Sequence, residues 1–215
     1  MKHEEFLYGM TNPAPAAKLD IYPKGGIMQG WAESPELYSA AFGHHDDVHR
    51  FTAGHTGLDI VAYHRAPIVA AHDGFVSDMR TERVGLGGLV VWLRSPVLDF
   101  KTMGDSYITT GYGHLDEIVV KMNQTVKKGE LIGYMGNTGF VVSGGTPYWG
   151  NAPAGKGTHL HFSLYEYILK NGAFQPRFNN LMQNTTDSLP YLTRNPVGLI
   201  TALKNILRFL TSRSN

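Results

Sequence analysis

The tripeptide His159-Leu160-His161, followed by Phe162, combines two imidazoles with the pattern of a β-strand. Side chains of a strand alternate between its two faces. His159 and His161 should therefore point the same way, about 6–7 Å apart along the strand. At this spacing one imidazole can bind a metal ion while the other reaches a group bound to that ion.

Two upstream segments carry matching groups. His55 and Asp59 stand at either end of His-Thr-Gly-Leu-Asp, and His114 belongs to Tyr-Gly-His-Leu. Two histidines and one carboxylate leave one position of a tetrahedral zinc open for water, as in catalytic rather than structural zinc sites. The residues alone predict a zinc hydrolase, and they do not decide which of His159 and His161 binds the metal.

The same residues resemble the lysostaphin-type (LytM-type) peptidoglycan endopeptidases. The motifs His-x-x-x-Asp, Tyr-x-His-Leu and His-Leu-His-Phe occur here in the order that this family has them. The likeness continues through the apolar runs at 59–71 and 73–76, Val-Lys-Lys-Gly-Glu-Leu-Ile-Gly at 126–133 and Gly-Asn-Thr-Gly at 136–139. It extends over residues 51–165.

The resemblance implies a zinc-dependent endopeptidase that binds one Zn²⁺ per chain through His55, Asp59 and His161. It also implies that His114 and His159 flank the open side of the metal. One would accept the proton of the attacking water and later protonate the leaving amine, and the other would hydrogen-bond the oxyanion. The sequence does not decide which histidine has which task. The implied substrate is the peptide part of peptidoglycan, in stem peptides or cross-bridges.

Three other functions remain open from the sequence. A catalytically silent LytM-like domain could regulate a partner hydrolase, although such domains typically lose zinc ligands and this chain keeps all five candidate residues. A zinc hydrolase on the same scaffold could cleave a different bond, as a carboxypeptidase or amidase. A wall-binding module without chemistry would show no dependence on metal.

Four residues are predicted to support the site. Gly54 and Gly57 suit a tight turn between the first two ligands, where the backbone must approach the ion closely. Thr110 and Tyr112 share a strand face with His114 if side chains alternate strictly, so either could orient it or contact substrate.

Short strands separated by turns follow one another from Leu58. No amphipathic helix interrupts them, so the sheet should be mainly antiparallel. With the resemblance, the expected fold is mainly β: an antiparallel sheet or sandwich of LytM type (a duplicated hybrid motif) with long loops and a C-terminal amphipathic helix. The predicted strands are 58–64, 67–70, 74–80, 88–94, 106–113, a short pair at 118–120 and 131–135, and 158–167.

Three regions are expected along the chain. Residues 1–50 form an N-terminal arm and polar loop that pack on the core, 51–167 form the LytM-type peptidase domain, and 168–215 form a C-terminal extension. Within the extension, apolar residues recur at helical spacing from 195 to 212, with basic residues on the other face. This helix packs on the β-core or contacts a membrane surface or a partner.

Two insertions and one polar loop depart from the family pattern. Residues 95–105 lengthen a hairpin, and residues 140–157 form a loop that borders the cleft. In that loop Tyr148 and Trp149 either form a wall for the substrate or pin the loop down. The polar loop at 44–49, with three histidines and two aspartates, is a solvated loop or an accessory metal site. If it folds over the cleft, one of its histidines could occupy the open position of the zinc and restrain activity.

Composition limits the partners. The formal net charge of +1 gives no indication of nucleic acid binding, and the lack of cysteine removes disulfides and thiol catalysis. No run approaches the roughly 20 apolar residues of a membrane span. The start of the chain is acidic where a signal peptide is basic, so none is visible. An extracytoplasmic or phage-associated location is expected from the implied function, and the sequence leaves the oligomeric state open.

Overall fold

A computed structural model describes residues 3–19, 27–29, 55–96, 98–100, 104–170, 173–176 and 184–193. Within these ranges one short helix, α1 (His3–Tyr8), precedes the strands in chain order and another, α2 (Leu189–Thr193), follows them. The strands are β1 (Ile27–Gln29), β2 (Leu58–Ile60), β3 (Pro67–Val69), β4 (Gly74–Arg80), β5 (Leu89–Arg94), β6 (Leu98–Phe100), β7 (Gly104–Ile118), β8 (Thr125–Val126), β9 (Leu131–Met135), β10 (Phe140–Ser143), β11 (Thr146–Trp149), β12 (Leu160–Lys170) and β13 (Ala173–Pro176).

One large sheet contains all of these strands except β10 and β11, which form a separate hairpin. Its main path runs β1-β2-β12-β7-β5-β4-β8, while β13 pairs with β12, β6 with β7, and β9 with both β3 and β7. Every pairing between the described strands is antiparallel. The prediction of a mainly β, antiparallel fold is therefore confirmed.

The two central strands, β7 and β12, bury their apolar residues on one face. Leu160, Phe162 and Leu164 are almost fully buried at alternate positions of β12. On β7 the ring of Tyr112 packs edge-on against Phe162, with ring centroids 5.3 Å apart. Burying a large apolar side chain contributes about 1.5–3 kcal/mol, so this face fixes the register of both strands and leaves His161 on the opposite face.

The N-terminal residues 3–19 lie against this core. Leu7 and Met10 are almost fully buried, and the Thr11 N–H donates to the Ala71 carbonyl (2.9 Å). The segment is a short helix followed by irregular backbone. Among the residues that the structure describes, no helix is long and apolar enough to cross a membrane.

Some predicted boundaries were wrong. The loop expected at 140–157 begins as the β10–β11 hairpin, in which Gly144 and Gly145 both have positive φ (56° and 78°). Successive positive φ angles suit a two-residue hairpin turn. The region from 168 to 195, for which no structure was predicted, contains the end of β12, β13 and α2. The segment at 95–105 lengthens a hairpin as predicted, because β6 pairs with the start of β7.

Several predictions fall outside the described residues. These are the polar loop at 44–49, the helix at 195–212 and Gly54.

A buried hydrogen-bonded chain connects three polar residues on the core face. His72 Nδ1 lies 2.8 Å from the Asp73 carbonyl oxygen and therefore donates to it. Its Nε2 is then the acceptor for the Thr110 hydroxyl at 2.9 Å, which in turn lies 3.0 Å from the Tyr112 hydroxyl. Burial lowers the pKa of His72 to about 4. His72 is thus a structural histidine, in agreement with its position near a strand end.

This histidine makes stability depend on pH. The unfolded chain protonates His72 near pH 6.5 and the folded chain only near pH 4. Acidification through this window therefore favours unfolding, by up to about 3 kcal/mol. The expected result is a smaller stability loss between pH 6.5 and pH 4 for His72→Gln than for the parent protein, measured by urea denaturation. Equal losses would contradict this assignment.

Candidate metal centre

Three neighbouring strands bring one row of residues together on the face opposite the core. In β2, Asp59 pairs with His161 of β12, and His161 pairs in turn with Gly113 of β7. Residues paired directly across strands project on the same face. The row therefore places a carboxylate next to an imidazole and leaves the adjoining position on β7 without a side chain.

Three potential ligand atoms converge at the start of this row. His161 Nδ1 lies 2.9 Å from Asp59 Oδ1, and His55 Nε2 lies 3.1 Å from both of these atoms. His55 and Asp59 are buried, whereas the side chain of His161 is 23% exposed. The His-Asp-His group predicted from the sequence is thus assembled, and its accessible side is that of His161.

Gly57 lets the segment from His55 to Asp59 pack on β12. A Cβ atom at this position would lie 2.5 Å from the Phe162 carbonyl oxygen and 3.0 Å from His161 Nε2. Its φ is not positive, so the turn does not need glycine for its dihedral angles. The sequence correctly singled out Gly57, but the reason is the close approach of two backbones beside His161.

The charge state of the group suits a divalent cation. Burial would raise the pKa of Asp59, but the surrounding imidazoles outweigh burial and hold it well below its usual range. Burial lowers the pKa of His161, and together with the neighbouring His159 it lowers the pKa of His114 to about 3. At neutral pH Asp59 therefore carries a negative charge and His161 is neutral, the forms in which these two groups bind metal.

The donor set fits zinc. Zinc accepts imidazole nitrogen and carboxylate oxygen, and ligands at about 2.0–2.1 Å in a tetrahedron are roughly 3.3–3.4 Å apart. The three atoms of His55, Asp59 and His161 are separated by 2.9–3.1 Å, within a few tenths of an ångström of that spacing. These residues could hold one zinc ion as three protein ligands.

His159 lies beside this group without joining it as closely. Its Nε2 is 3.7 Å from Asp59 Oδ2, and its Nδ1 is 2.8 Å from the Gly157 carbonyl oxygen. The residue between the two histidines, Leu160, is fully buried on the core face. The predicted same-face arrangement of His159 and His161 is therefore present, and the distances favour His161 as the metal ligand.

His114 reaches the site through a β-bulge. Between β5 and β7, Leu89 pairs with Leu115 while Val91 pairs with Tyr112, so β7 contains one extra residue. His114 sits at this irregularity with a φ of 59°, which is unusual for a residue other than glycine. A bulge changes the direction of a side chain. The ring of His114 consequently lies 4.4 Å from that of His159, between centroids.

The bulge corrects the prediction for Thr110 and Tyr112. Strict alternation placed both on the same face as His114, but the extra residue leaves them on the core face. There they belong to the buried chain with His72, and the Tyr112 hydroxyl accepts from the Ala71 N–H (2.9 Å). Neither side chain orients His114.

The Gly-Asn-Thr-Gly segment at 136–139 positions His114 and His159. The sequence did not reveal this role. Gly136 forms a β-bridge with His159. The side-chain amide of Asn137 donates to the carbonyls of Pro153 (2.8 Å) and Lys156 (2.9 Å), which fastens the loop that leads to His159. The carbonyl of Thr138 accepts from His114 Nδ1 (2.8 Å). The motif was visible as part of the resemblance, but its contacts join residues far apart in sequence.

Trp149 of the β10–β11 hairpin lies partly in solvent, whereas Phe140 is buried. Trp149 is 45% exposed, and its ring centroid is 4.4 Å from that of Phe140. The contact with Phe140 fits an anchoring role, and the exposed part of the ring leaves the substrate-wall interpretation open.

The packing of Gly57 generates a prediction for metal binding. Gly57→Ala should lose zinc, because its Cβ would collide with backbone atoms of β12 that cannot shift cheaply. Gly113→Ala is the matched control, since a Cβ there would meet only ordinary contacts of 3.5 Å or more. Zinc per chain, measured by elemental analysis after equilibration with a competing chelator, distinguishes the two variants. Equal zinc content would show that the approach of the two backbones is not required.

Comparisons with known proteins agree with this geometry. A sequence model described as Peptidase family M23 matches residues 53–176, more than half of the chain. An uncharacterised metalloprotease of Haemophilus influenzae is 34% identical over 122 residues, which are 57% of this chain and 20% of that protein. The peptidoglycan DD-endopeptidase ShyC of Vibrio cholerae is 33% identical over 129 residues, 60% of this chain and 23% of that protein. The chain spans about a fifth of the length of these curated relatives.

The chain is also similar to a solved structure. The catalytic domain of lysostaphin from Staphylococcus simulans is 19% identical, with a TM-score of 0.47, over 76% of this chain and 88% of that domain. The resemblance drawn from the motifs is confirmed by the family match. This chain belongs to Peptidase family M23.

Proposed function

We propose that this protein is a zinc-dependent endopeptidase that hydrolyses peptide bonds in the stem peptides or cross-bridges of peptidoglycan. The observation that carries the proposal is the convergence of His55 Nε2, Asp59 Oδ1 and His161 Nδ1 within 3.1 Å, beside two further histidines. Membership in a peptidase family supports hydrolysis of a peptide bond. The name of the Vibrio cholerae relative, a peptidoglycan DD-endopeptidase, supports the substrate class and an extracytoplasmic place of action.

In this proposal His55, Asp59 and His161 hold the zinc, which when bound lowers the pKa of a water molecule and acts as a Lewis acid. The carboxylate of Asp59 supplies the negative charge of the ligand set. The mixture of two nitrogen donors and one oxygen donor matches catalytic zinc sites that keep one position for water or substrate.

His114 and His159 move protons and hydrogen-bond the reacting carbonyl. Each imidazole has Nδ1 facing a main-chain carbonyl, so Nδ1 carries the hydrogen and Nε2 keeps its lone pair. Burial holds the pKa of His114 near 3, so this ring is neutral at pH 7 and can accept a proton. The Nε2 of one ring accepts the proton of the nucleophilic water and passes it to the leaving amine. The other ring takes up a proton from solvent at Nε2, donates a hydrogen bond from there to the developing oxyanion, and returns the proton to solvent after release of the products.

Gly113 keeps the floor of the cleft free of side chains beside these groups. A Cβ at Gly113 would lie 3.5 Å from His161 Cβ and 3.7 Å from the Gly87 carbonyl oxygen, both ordinary van der Waals contacts. An extended peptide can approach the metal ligands closely over such a floor. The absence of a side chain at Gly113 is consistent with a substrate that contributes its backbone at the scissile bond.

The proposed roles separate metal binding from catalysis. His114→Ala and His159→Ala should each keep one zinc per chain and lose about 10²–10⁴-fold in the rate of bond cleavage. His55→Ala should lose zinc and activity together, because it removes one of three ligands. Zinc content and dye release from labelled peptidoglycan measure the two properties in the same samples. Undiminished turnover in His159→Ala would remove that residue from the mechanism.

The bond that is cut can be identified directly. Zinc-loaded protein is incubated with purified peptidoglycans of differing cross-bridge chemistry, and the products are analysed by mass spectrometry. We expect new amino termini at one defined bond, absent with His114→Ala and absent after removal of zinc by a chelator. Products that are identical with and without the wild-type protein, at full zinc occupancy, would contradict the proposed function.

A further inference from the structure

Thr138 makes three hydrogen bonds around the bulge that holds His114, two to β7 and one to the neighbouring β5. Its carbonyl oxygen accepts from His114 Nδ1 at 2.8 Å. Its hydroxyl accepts from the Leu89 N–H at 2.9 Å and donates to the Leu115 carbonyl at 2.7 Å. Thr138 is 1% exposed, so its polar atoms depend on these protein partners rather than on bulk water.

The hydroxyl of Thr138 bridges strands β5 and β7 at the bulge. Leu89 and Leu115 are paired across β5 and β7 at the point where the register shifts. The Leu89 N–H donates to Thr138 Oγ1, and the Thr138 hydroxyl donates to the Leu115 carbonyl. Buried main-chain groups without partners are costly. The hydroxyl therefore stabilises the irregularity that turns His114 toward the metal ligands.

Two glycines hold the backbone of Thr138 in place. A Cβ on Gly88 would lie 2.3 Å from the Thr138 carbonyl carbon, and a Cβ on Gly139 would lie 2.3 Å from the Gly88 nitrogen. Both glycines have positive φ, 60° and 76°. This close contact fixes the direction of the Thr138 carbonyl, and thereby the ring nitrogen of His114 that carries hydrogen.

We propose that Thr138 is the positioning residue of His114. Its hydroxyl maintains the bulge, and its carbonyl holds the hydrogen on Nδ1, so that Nε2 presents its lone pair to the cleft. The inference rests on the proposed function, because that function assigns proton transfer to His114. It assigns no contact between Thr138 and the substrate or the metal.

The hydroxyl is tested by two substitutions and a matched control. Thr138→Val removes it at nearly constant shape, and Thr138→Ser keeps it. The control, Thr109→Val, makes the same change at a buried threonine of β7 whose hydroxyl has no hydrogen-bond partner among the described residues. We expect Thr138→Val to lose about 10–100-fold in the rate of peptidoglycan cleavage at unchanged zinc content, as is typical when a group that orients a functional side chain is removed. Thr138→Ser and Thr109→Val should stay within about threefold of the parent, because neither change removes a hydrogen bond.

A spectroscopic measurement tests the same inference independently of activity. Correlation of the ring nitrogens and carbon-bound protons of ¹⁵N-labelled histidine in the zinc-loaded protein, assigned with His114→Ala, reports which nitrogen of His114 carries hydrogen. We expect the Nδ1–H form in the parent, Thr138→Ser and Thr109→Val proteins, and a mixture of both forms in Thr138→Val. An unchanged His114 signal in Thr138→Val would overturn the inference, as would equal loss of activity in the Ser and Val variants. If the parent cleaves no peptidoglycan, the proposed function fails, and the His114 signal still decides the role of Thr138.

Discussion

The extra residue in β7 is the constraint on which the arrangement of the site depends. Strict alternation from the buried Tyr112 would carry His114 back to the core face, yet the next residue of the hydrophobic core is Leu115. Placing Gly113 and His114 in succession on the site face is possible only with an irregular backbone, and the positive φ of His114 provides it. A non-glycine residue in this conformation is strained, so the surrounding contacts must maintain it. The Gly-Asn-Thr-Gly segment supplies those contacts.

A second constraint is electrostatic. Asp59 is 2% exposed, and a buried carboxylate is expensive unless its charge is compensated. The imidazoles that face it keep it ionised, while burial favours the neutral form of His161 and His114. The group therefore lowers folding stability, and it places a concentrated negative charge next to neutral nitrogen donors. Such an arrangement has little value as packing and much as a binding site for a divalent cation.

Much of this architecture was predictable because its signals are local. Alternation of Leu160, His161 and Phe162 predicted both the strand and its polar face. The bulge was not predictable, because the alternation of side chains along a strand does not indicate where one extra residue is inserted. The role of Thr138 was hidden for a different reason: its hydrogen bonds reach residues 23 to 49 positions away. The β10–β11 hairpin was missed although its consecutive glycines are a known turn signal.

The two halves of the site are held by different kinds of structure, and this has a consequence for how the protein can vary. The candidate metal ligands Asp59 and His161 are brought together by the register of β2 against β12, which the buried face of the sheet fixes. The orientation of His114 and His159 depends on the main-chain carbonyls of Thr138 and Gly157. Asn137 also fastens the loop before His159 through its hydrogen bonds to the carbonyls of Pro153 and Lys156. Changes in that loop therefore reach His159 without passing through the sheet that sets metal binding. For the proposed endopeptidase, we therefore expect loop sequence and cleavage rate to change together while zinc affinity stays constant.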